Sequence, residues 1–295
     1  MRIALTGASG FTGRFVIEAF AVRGIECIPL SVDLTDKNAV EAAVADTAFD
    51  RLIHLAARAF VDAADWAAFY TVNQIGTFHL LDAVARIRPG TRCITSSSAQ
   101  VYGPGATGLV AEDAPTHPSN HYAISKLAME QGAALWRNRL DIVIARPFNY
   151  TGVGQGIEYL VPKIVDHFRR GADTVELGNL FVKRDFGDVR SVADAYAGLA
   201  LVEAPPALVN ICTGTVRSID DILTTLSEIS GHRIEVRVNP AFVRANDVPV
   251  LGGDVARLRT ALPGWQARDL ADTLAWMYCF DSPSGAQHDT AETNT

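Results

Sequence analysis

No Cys-x-x-Cys pair, no apolar run of bilayer length and no surplus of cations occur in this 295-residue chain. The cysteines Cys27, Cys93, Cys212 and Cys279 are widely separated. The first three sit in or beside apolar, strand-like runs and read as small buried thiols, which fits a reducing, cytoplasmic setting. Nothing approaches the ~18 apolar residues that a membrane helix needs, so no membrane span is expected. The first apolar stretch, Ile3 to Leu5, stops at once in a glycine loop and is not read as a signal peptide. A net charge of −7 and a pI near 5.5 argue against general nucleic-acid binding, which rests on clustered cations. Among the histidines, His117 and His121 are four apart but separated by Pro118, so no metal site is expected.

The composition, 48% apolar and 20% charged, is that of an ordinary soluble globular protein whose length suits one large domain or two smaller ones. Arg2 to Thr6 reads as a buried strand, followed by Gly7-Ala8-Ser9-Gly10-Phe11-Thr12-Gly13 and a helix with Phe15, Val16, Ala19, Phe20 and Val22 on its apolar side. Strand, glycine loop and helix in that order are the context of a dinucleotide-binding motif. Gly7 permits the tight turn, Gly10 lets backbone approach a pyrophosphate at the helix N-terminus, and Gly13 allows close helix–strand contact. The second strand, Ile25 to Leu30, lacks the terminal carboxylate that would hold a ribose 2′-hydroxyl, and no arginine pair replaces it. The choice between NAD and NADP therefore stays open. Asp33 and Leu34 either flank the adenine or begin a turn.

Further strands are expected at Arg51 to Ala57, Arg92 to Thr95, Ile142 to Ala145 and Val209 to Cys212. Helices are expected at Asn38 to Ala45, Trp66 to Ala85, Asn120 to Trp136, Glu158 to Arg169, Ser191 to Leu201, Ser218 to Ser230 and Leu270 to Tyr278. His54 reads as a packed strand histidine. The alternation predicts an α/β fold, a doubly wound parallel Rossmann sheet with ligands at the carboxyl ends of its strands. Gly7, Ala56, Ser98 and Asn149 all fall at such ends. A smaller C-terminal α/β subdomain follows. The division expected is residues 1–150 with roughly 188–212 for the nucleotide-binding domain, 151–187 with 213–281 for the substrate-binding part, and a disordered tail at 282–295.

Ser96-Ser97-Ser98 ends the strand that begins at Arg92, and Tyr122 and Lys126 follow a loop later. Four apart on a helix, the phenol and the ammonium share a face. The ammonium is expected to favour phenolate and to draw the tyrosine pKa down from ~10 into the range of an acid/base catalyst.

Taken together, Gly7-x-x-Gly10-x-x-Gly13, Asp33-Leu34, Leu55-Ala56-Ala57, Ser98 before Val101-Tyr102-Gly103, Tyr122-x-x-x-Lys126 and Arg146-Pro147-x-Asn149 resemble the extended short-chain dehydrogenase/reductase family of nucleotide-sugar epimerases, dehydratases and reductases. The resemblance implies catalysis by Ser98, Tyr122 and Lys126. Tyr122 would be the acid/base, Lys126 would hold the nicotinamide ribose, and Ser98 would bond the sugar hydroxyl or ketone. It implies NAD or NADP on Gly7, Gly10, Phe11, Thr12, Gly13, Asp33, Leu34, Leu55, Ala56 and Ala57, together with Tyr122 and Lys126. The segments Arg146 to Gln155, Gly178 to Arg190 and Arg244 to Pro249 are similar to the GDP-sugar branch that contains GDP-mannose 4,6-dehydratase and GDP-4-dehydro-6-deoxy-D-mannose reductase. By that resemblance Ser98, Asn149, Arg184, Arg190, Arg244 and Asp247 contact a nucleotide-diphosphate sugar, with a GDP-sugar favoured. The dehydratases carry a glutamate, often after an aspartate, in the two positions following the catalytic hydroxyl. Here these are Ala99 and Gln100, which transfer no proton near neutral pH, so dehydration is not expected. Reduction of a 4-keto-6-deoxy sugar leads, with 4-epimerisation on tightly bound NAD as the alternative and a catalytically silent NADP-binding protein behind both. Relatives pair the helices at 66–85 and 120–136, so a homodimer is expected.

Overall fold

The computed structural model describes residues 1–59, 65–243 and 248–280. The first half alternates strand and helix: β1 (Arg2–Thr6), α1 (Phe11–Ala21), β2 (Glu26–Pro29), α2 (Lys37–Asp46) and β3 (Arg51–His54). A π-helix (Phe69–Gly76) then runs directly into α3 (Thr77–Ile87), followed by β4 (Arg92–Ser96), the short β5 (Gly108–Val110), α4 (His121–Ala133) and β6 (Asp141–Pro147). Six parallel strands make one sheet in the order β10-β6-β4-β3-β1-β2, where β10 is Leu208–Ile211. The chain winds from β1 outward to β2 and returns on the other side to β3. The gap between β1 and β3 is therefore the switch point where doubly wound sheets bind ligands. One face is covered by α1 and α6 (Val189–Leu201), the other by α2, α3 and α4. The inner strands are apolar on both faces because they are buried on both sides: Ile3, Ala4 and Leu5 are all fully buried.

The expected doubly wound α/β fold is present, and the glycine motif lies between β1 and α1 as read. The second half carries more strand than the sequence suggests. It contains β7 (Asn149–Thr151), α5 (Leu160–Arg169), β8 (Thr174–Leu177), β9 (Lys183–Asp188), β11 (Val216–Ser218), α7 (Ile219–Ser230), β12 (Glu235–Val238), β13 (Val250–Gly253), α8 (Ala256–Ala261) and α9 (Leu270–Cys279). A mixed sheet runs β11-β9-β13-β5, with β7 also on β9 and β8 paired separately with β12. Helices α5, α7 and α9 enclose a third core around Ile164, Phe186, Leu226 and Leu274. The segment Gly178 to Phe186, read as a cation-rich stretch, runs into β9, which starts at Lys183. The helix expected over Trp66 to Ala85 is π-helical over Phe69–Gly76 and extends to Ile87. Residues 282–295, expected to form a tail, lie outside the described residues.

Candidate active site

Gly7 has φ +71°, and a methyl group there would lie 2.8 Å from Ala56 N, so the turn presses directly on the end of β3. Gly10 N donates to Gly7 O at 3.1 Å and caps α1 without a side-chain partner. A methyl on Gly13 would overlap Gly7 O and Ala8. The three glycines thus seat the amides of the first turn of α1 in the cleft between β1 and β3, with no acidic side chain in that turn. Uncompensated amides at a Cβ-free turn fit a pyrophosphate. Asp33 is an exposed turn former: its Oδ1 accepts from Thr35 N at 2.9 Å and Thr35 Oγ1 at 2.7 Å, which holds its carboxyl below the usual range. Leu34 is buried against Gly76, and its carbonyl oxygen is hydrogen-bonded to His79 Nδ1 at 3.0 Å.

At the carboxyl end of β4, Ser98 opens a 3-10 turn and accepts from Gln100 N at 3.2 Å. Ser98 lies beside the half-buried Tyr122, near enough for its hydroxyl to favour the phenolate, so the structure brings these two residues together. Lys126 is anchored on the backbone rather than on the phenol. Its Nζ donates to Ser96 O at 2.7 Å and lies 6.0 Å from the centre of the Tyr122 ring. Burial dominates both groups: it pushes the phenol up to about 12, against the pull of Ser98, and draws the ammonium down to about 8. The expected fall of the tyrosine pKa is thus reversed, because desolvation outweighs any attraction from an ammonium turned toward a backbone carbonyl. Tyr122 is a protonated phenol at neutral pH.

Polar side chains hidden from the sequence reading brace this site. Tyr150, one residue past Asn149, joins its hydroxyl to Thr12 Oγ1 at 2.8 Å and stacks on Phe11 at 6.1 Å. Its nearness in sequence to Arg146-Pro147-Phe148-Asn149 is the one signal that could have found it. Tyr196 donates to Ser96 Oγ at 2.8 Å. Ser97 donates to Glu130, whose carboxylate also takes two bonds from Arg146, at 2.9 and 2.6 Å. Buried His54 bridges Thr6 Oγ1 at 2.6 Å and Thr77 Oγ1 at 2.8 Å, and Thr77 Oγ1 donates to Asn73 O at 2.7 Å. Thr77 therefore accepts from His54 Nε2–H, which leaves Nδ1 to accept from Thr6. His54 is a packed histidine, as read.

The residues read as substrate contacts are less gathered. Asn149 is exposed on β7. Arg184, on β9, donates from Nη1 to Lys183 O at 2.9 Å. Arg190 is engaged inside the fold: its Nη2 lies 2.5 Å from Asp188 Oδ2, and its guanidinium sits 3.7 Å above the Trp276 ring. Trp276 in turn packs on Phe15 and Phe15 on Phe11, so Arg190 ends a chain of contacts that starts in the glycine loop. Arg244 and Asp247 lie outside the described residues.

Residues 27–277 match the protein family described as GDP-mannose 4,6 dehydratase. A GDP-6-deoxy-D-talose 4-dehydrogenase of Aggregatibacter actinomycetemcomitans is 37% identical over 89% of this chain and 91% of its own. A GDP-6-deoxy-D-mannose reductase of Pseudomonas aeruginosa is 31% identical over 90% of this chain and 91% of its own. Among solved structures, a putative epimerase from Burkholderia cenocepacia superposes with a TM-score of 0.88 at 41% identity, covering 94% of this chain and 96% of that one. The enzyme RMD from Pseudomonas aeruginosa, complexed with NADPH, gives 0.83 at 28% identity over 94% and 97%.

Proposed function

From the premise that this chain belongs to the GDP-mannose 4,6-dehydratase family, we propose that it is an NAD(P)-dependent reductase of the C4 ketone in a GDP-linked 4-keto-6-deoxy sugar. The two curated relatives, one named as a GDP-6-deoxy-D-talose 4-dehydrogenase and the other as a GDP-6-deoxy-D-mannose reductase, support the substrate class. The observation that carries the reaction type is the placing of Ser98 beside Tyr122, with Ala99 and Gln100 in the two positions that follow Ser98. Removing water across C5–C6 needs a second acid/base pair, and these positions offer none.

In this reading Gly7, Gly10, Phe11, Thr12 and Gly13 hold the dinucleotide, with Leu55 to Ala57 as the opposite wall. The bound nicotinamide supplies the hydride. Ser98 orients the ketone by a hydrogen bond to its oxygen. As that oxygen gains charge it takes the proton of Tyr122, and Lys126 stabilises the phenolate left behind. A pKa of about 12 keeps the phenol loaded before each turnover. Asn149 and Arg184 are assigned to the nucleotide half of the substrate, as are Arg244 and Asp247 outside the described residues, and Arg190 holds Trp276. Residues 1–150 with 188–212 form the cofactor part, and 151–187 with 213–281 the substrate part. The cysteines, free thiols in the structure, suit a cytoplasmic setting.

The protein works as a homodimer in this account. Ile75 on the π-helix, Ile124 on α4 and Leu135 just after it are 43%, 39% and 79% exposed, an apolar surface that a second copy would cover. Light scattering at micromolar concentration gives twice the monomer mass if this holds. NAD(P)H oxidation with freshly made GDP-4-keto-6-deoxymannose tests the activity. Absence of oxidation, with conversion of UDP-galactose on retained NAD, would transfer the assignment to a 4-epimerase.

A further inference from the structure

Beyond the edge strand β10, the loop joining α8 to α9 leans over the turn between β10 and β11 and encloses a cavity of about 480 Å³. That volume lies within the usual range for small-molecule sites, ~300–1,000 Å³. Its walls contain none of the residues assigned above to the cofactor, the reacting groups or the substrate. They contain three arginines: Arg217 on β11, Arg259 on α8 and Arg268 in the loop. A wall so rich in cations is unexpected in a protein of net charge −7.

The three differ in how they are engaged. Arg268 reaches Asp194 at 3.2 Å and is committed to α6. Arg217 and Arg259 form no hydrogen bond or ion pair from their guanidinium groups among the described residues. The one carboxylate in the wall, Asp269, caps α9 by accepting from Ala271 N at 3.2 Å. Asp221 stands near enough to Arg217 for the guanidinium to help hold its carboxyl down, while its Oδ2 accepts from Ser218 N at 2.7 Å. Arg217 also lies directly opposite Arg184 in the antiparallel β11–β9 ladder. Phe186 and Trp265 supply apolar wall, and Trp265 is fixed by its Nε1 bond to Ser191 O at 2.9 Å.

We propose that this cavity is a second anion site, built to take a phosphate-bearing small molecule with at least two negative charges. Guanidinium groups pair with phosphate oxygens in a forked geometry, and two without a hydrogen bond or ion pair in the lining of one pocket suit a compact polyanion. Occupancy would tie α8 to β11, and through the ladder to the strand that carries Arg184.

Calorimetric titration of the full chain, kept in saturating NADP⁺ so that the glycine loop is filled, tests the proposal. Inorganic pyrophosphate and mannose 1-phosphate are the two probes. Tighter binding of pyrophosphate identifies an inorganic source, and tighter binding of the sugar phosphate an organic one. The double variant Arg217→Gln/Arg259→Ala is expected to bind the better probe at least tenfold more weakly, with an unchanged melting temperature. Should that variant not fold, Arg259→Ala alone, an exposed change, is expected to weaken binding at least threefold. No binding of either probe by the wild type, or a smaller loss than these, overturns it.

Discussion

Asn120 bridges two parts of the site with one side-chain amide. Its Nδ2 donates to Gln100 Oε1 at 3.1 Å while its Oδ1 accepts from Ala123 N at 2.8 Å, capping α4. The residue at the position where dehydratases carry a glutamate is thereby tied to the start of the helix that presents Tyr122 and Lys126. Losing a helix cap costs about 1 kcal/mol, and losing one neutral hydrogen bond about the same. Asn120→Ala is expected to lower stability by about 1–2 kcal/mol and kcat by roughly fivefold, with KM for the cofactor nearly unchanged. Gln100→Ala loses only the bridge and is expected to fall between that variant and the wild type. Gln100→Glu keeps an acceptor for Asn120 and should stay near wild-type stability. Melting curves and NAD(P)H oxidation rates on the three variants check this ordering.

Replacing Tyr122 by Phe removes the proton donor but leaves Ser98, Lys126 and the glycine loop in place. A loss of roughly 10²–10⁴ in kcat is expected, with cofactor affinity retained. The same site sets a pH dependence. Tyr122 stays protonated up to about 12, so it does not limit reduction in the working range. Lys126, drawn down to about 8 by burial, does. Below that value the ammonium is present, and above it the charge that stabilises phenolate is lost. The rate of ketone reduction, as kcat/KM, is expected to be level up to about pH 8 and then to fall roughly tenfold per unit. In Lys126→Arg the residual activity should lose that alkaline limb, because arginine keeps its charge. A limb unchanged in Lys126→Arg would assign it to another group.

The central sheet was legible because its strands are apolar on both faces and end in recognisable turns. Gly7, Ala56 and Ser98 lie at strand ends for reasons of composition alone. The C-terminal sheet was not. Val250-Leu251-Gly252-Gly253 and Val216-Arg217-Ser218 are too short to carry a period of two, and their partners are distant in sequence. The π-helix was also invisible, since adding one residue to a turn barely alters the apolar spacing around Asn73 and Gly76. The spacing of Tyr122 and Lys126 told that they share a helix face, but not that Lys126 Nζ turns to Ser96 O. Nor could Trp276, far along the chain, be recognised as the ring beneath Arg190. In each of these cases the missing information is burial or a long-range partner, neither of which a local pattern encodes.

His54 supplies an acid-sensitive element outside the chemistry. Burial holds its imidazole neutral and lowers its pKa to about 3, against an ordinary value of 6.5. The unfolded chain therefore binds a proton between those two values that the folded chain refuses, so stability is full above 6.5 and falls as the pH drops toward 3. The loss reaches about 1.4 kcal/mol per pH unit, or about 2 kcal/mol at pH 5 from this group. In His54→Gln, which can still bond Thr6 and Thr77, that part of the slope should vanish, although the variant is less stable at pH 7. Urea midpoints for both proteins at pH 7, 6 and 5 measure the difference. Parallel lines would place the acid sensitivity elsewhere, with the buried carboxylates as the next groups to test.

Gly13 and Gly24 separate two uses of glycine. A methyl on Gly13 would run into Gly7 O and the backbone of Ala8, atoms that cannot move without displacing the loop that meets β3. Gly24, by contrast, has φ +66° with nothing within 4 Å of an added Cβ. Its substitution meets only the backbone penalty of a left-handed conformation, about 1 kcal/mol. Gly24→Ala is therefore expected to bind NAD(P)H as the wild type does while melting a few degrees lower. Gly13→Ala must open the contact between α1 and β1, and with it the seat of the first-turn amides, so cofactor affinity should drop at least a hundredfold. Quenching of tryptophan fluorescence by added NADPH reads both affinities in one experiment. Equal affinities for the two variants would mean that the loop can yield without losing its ligand, and that the close packing of Gly13 serves stability alone.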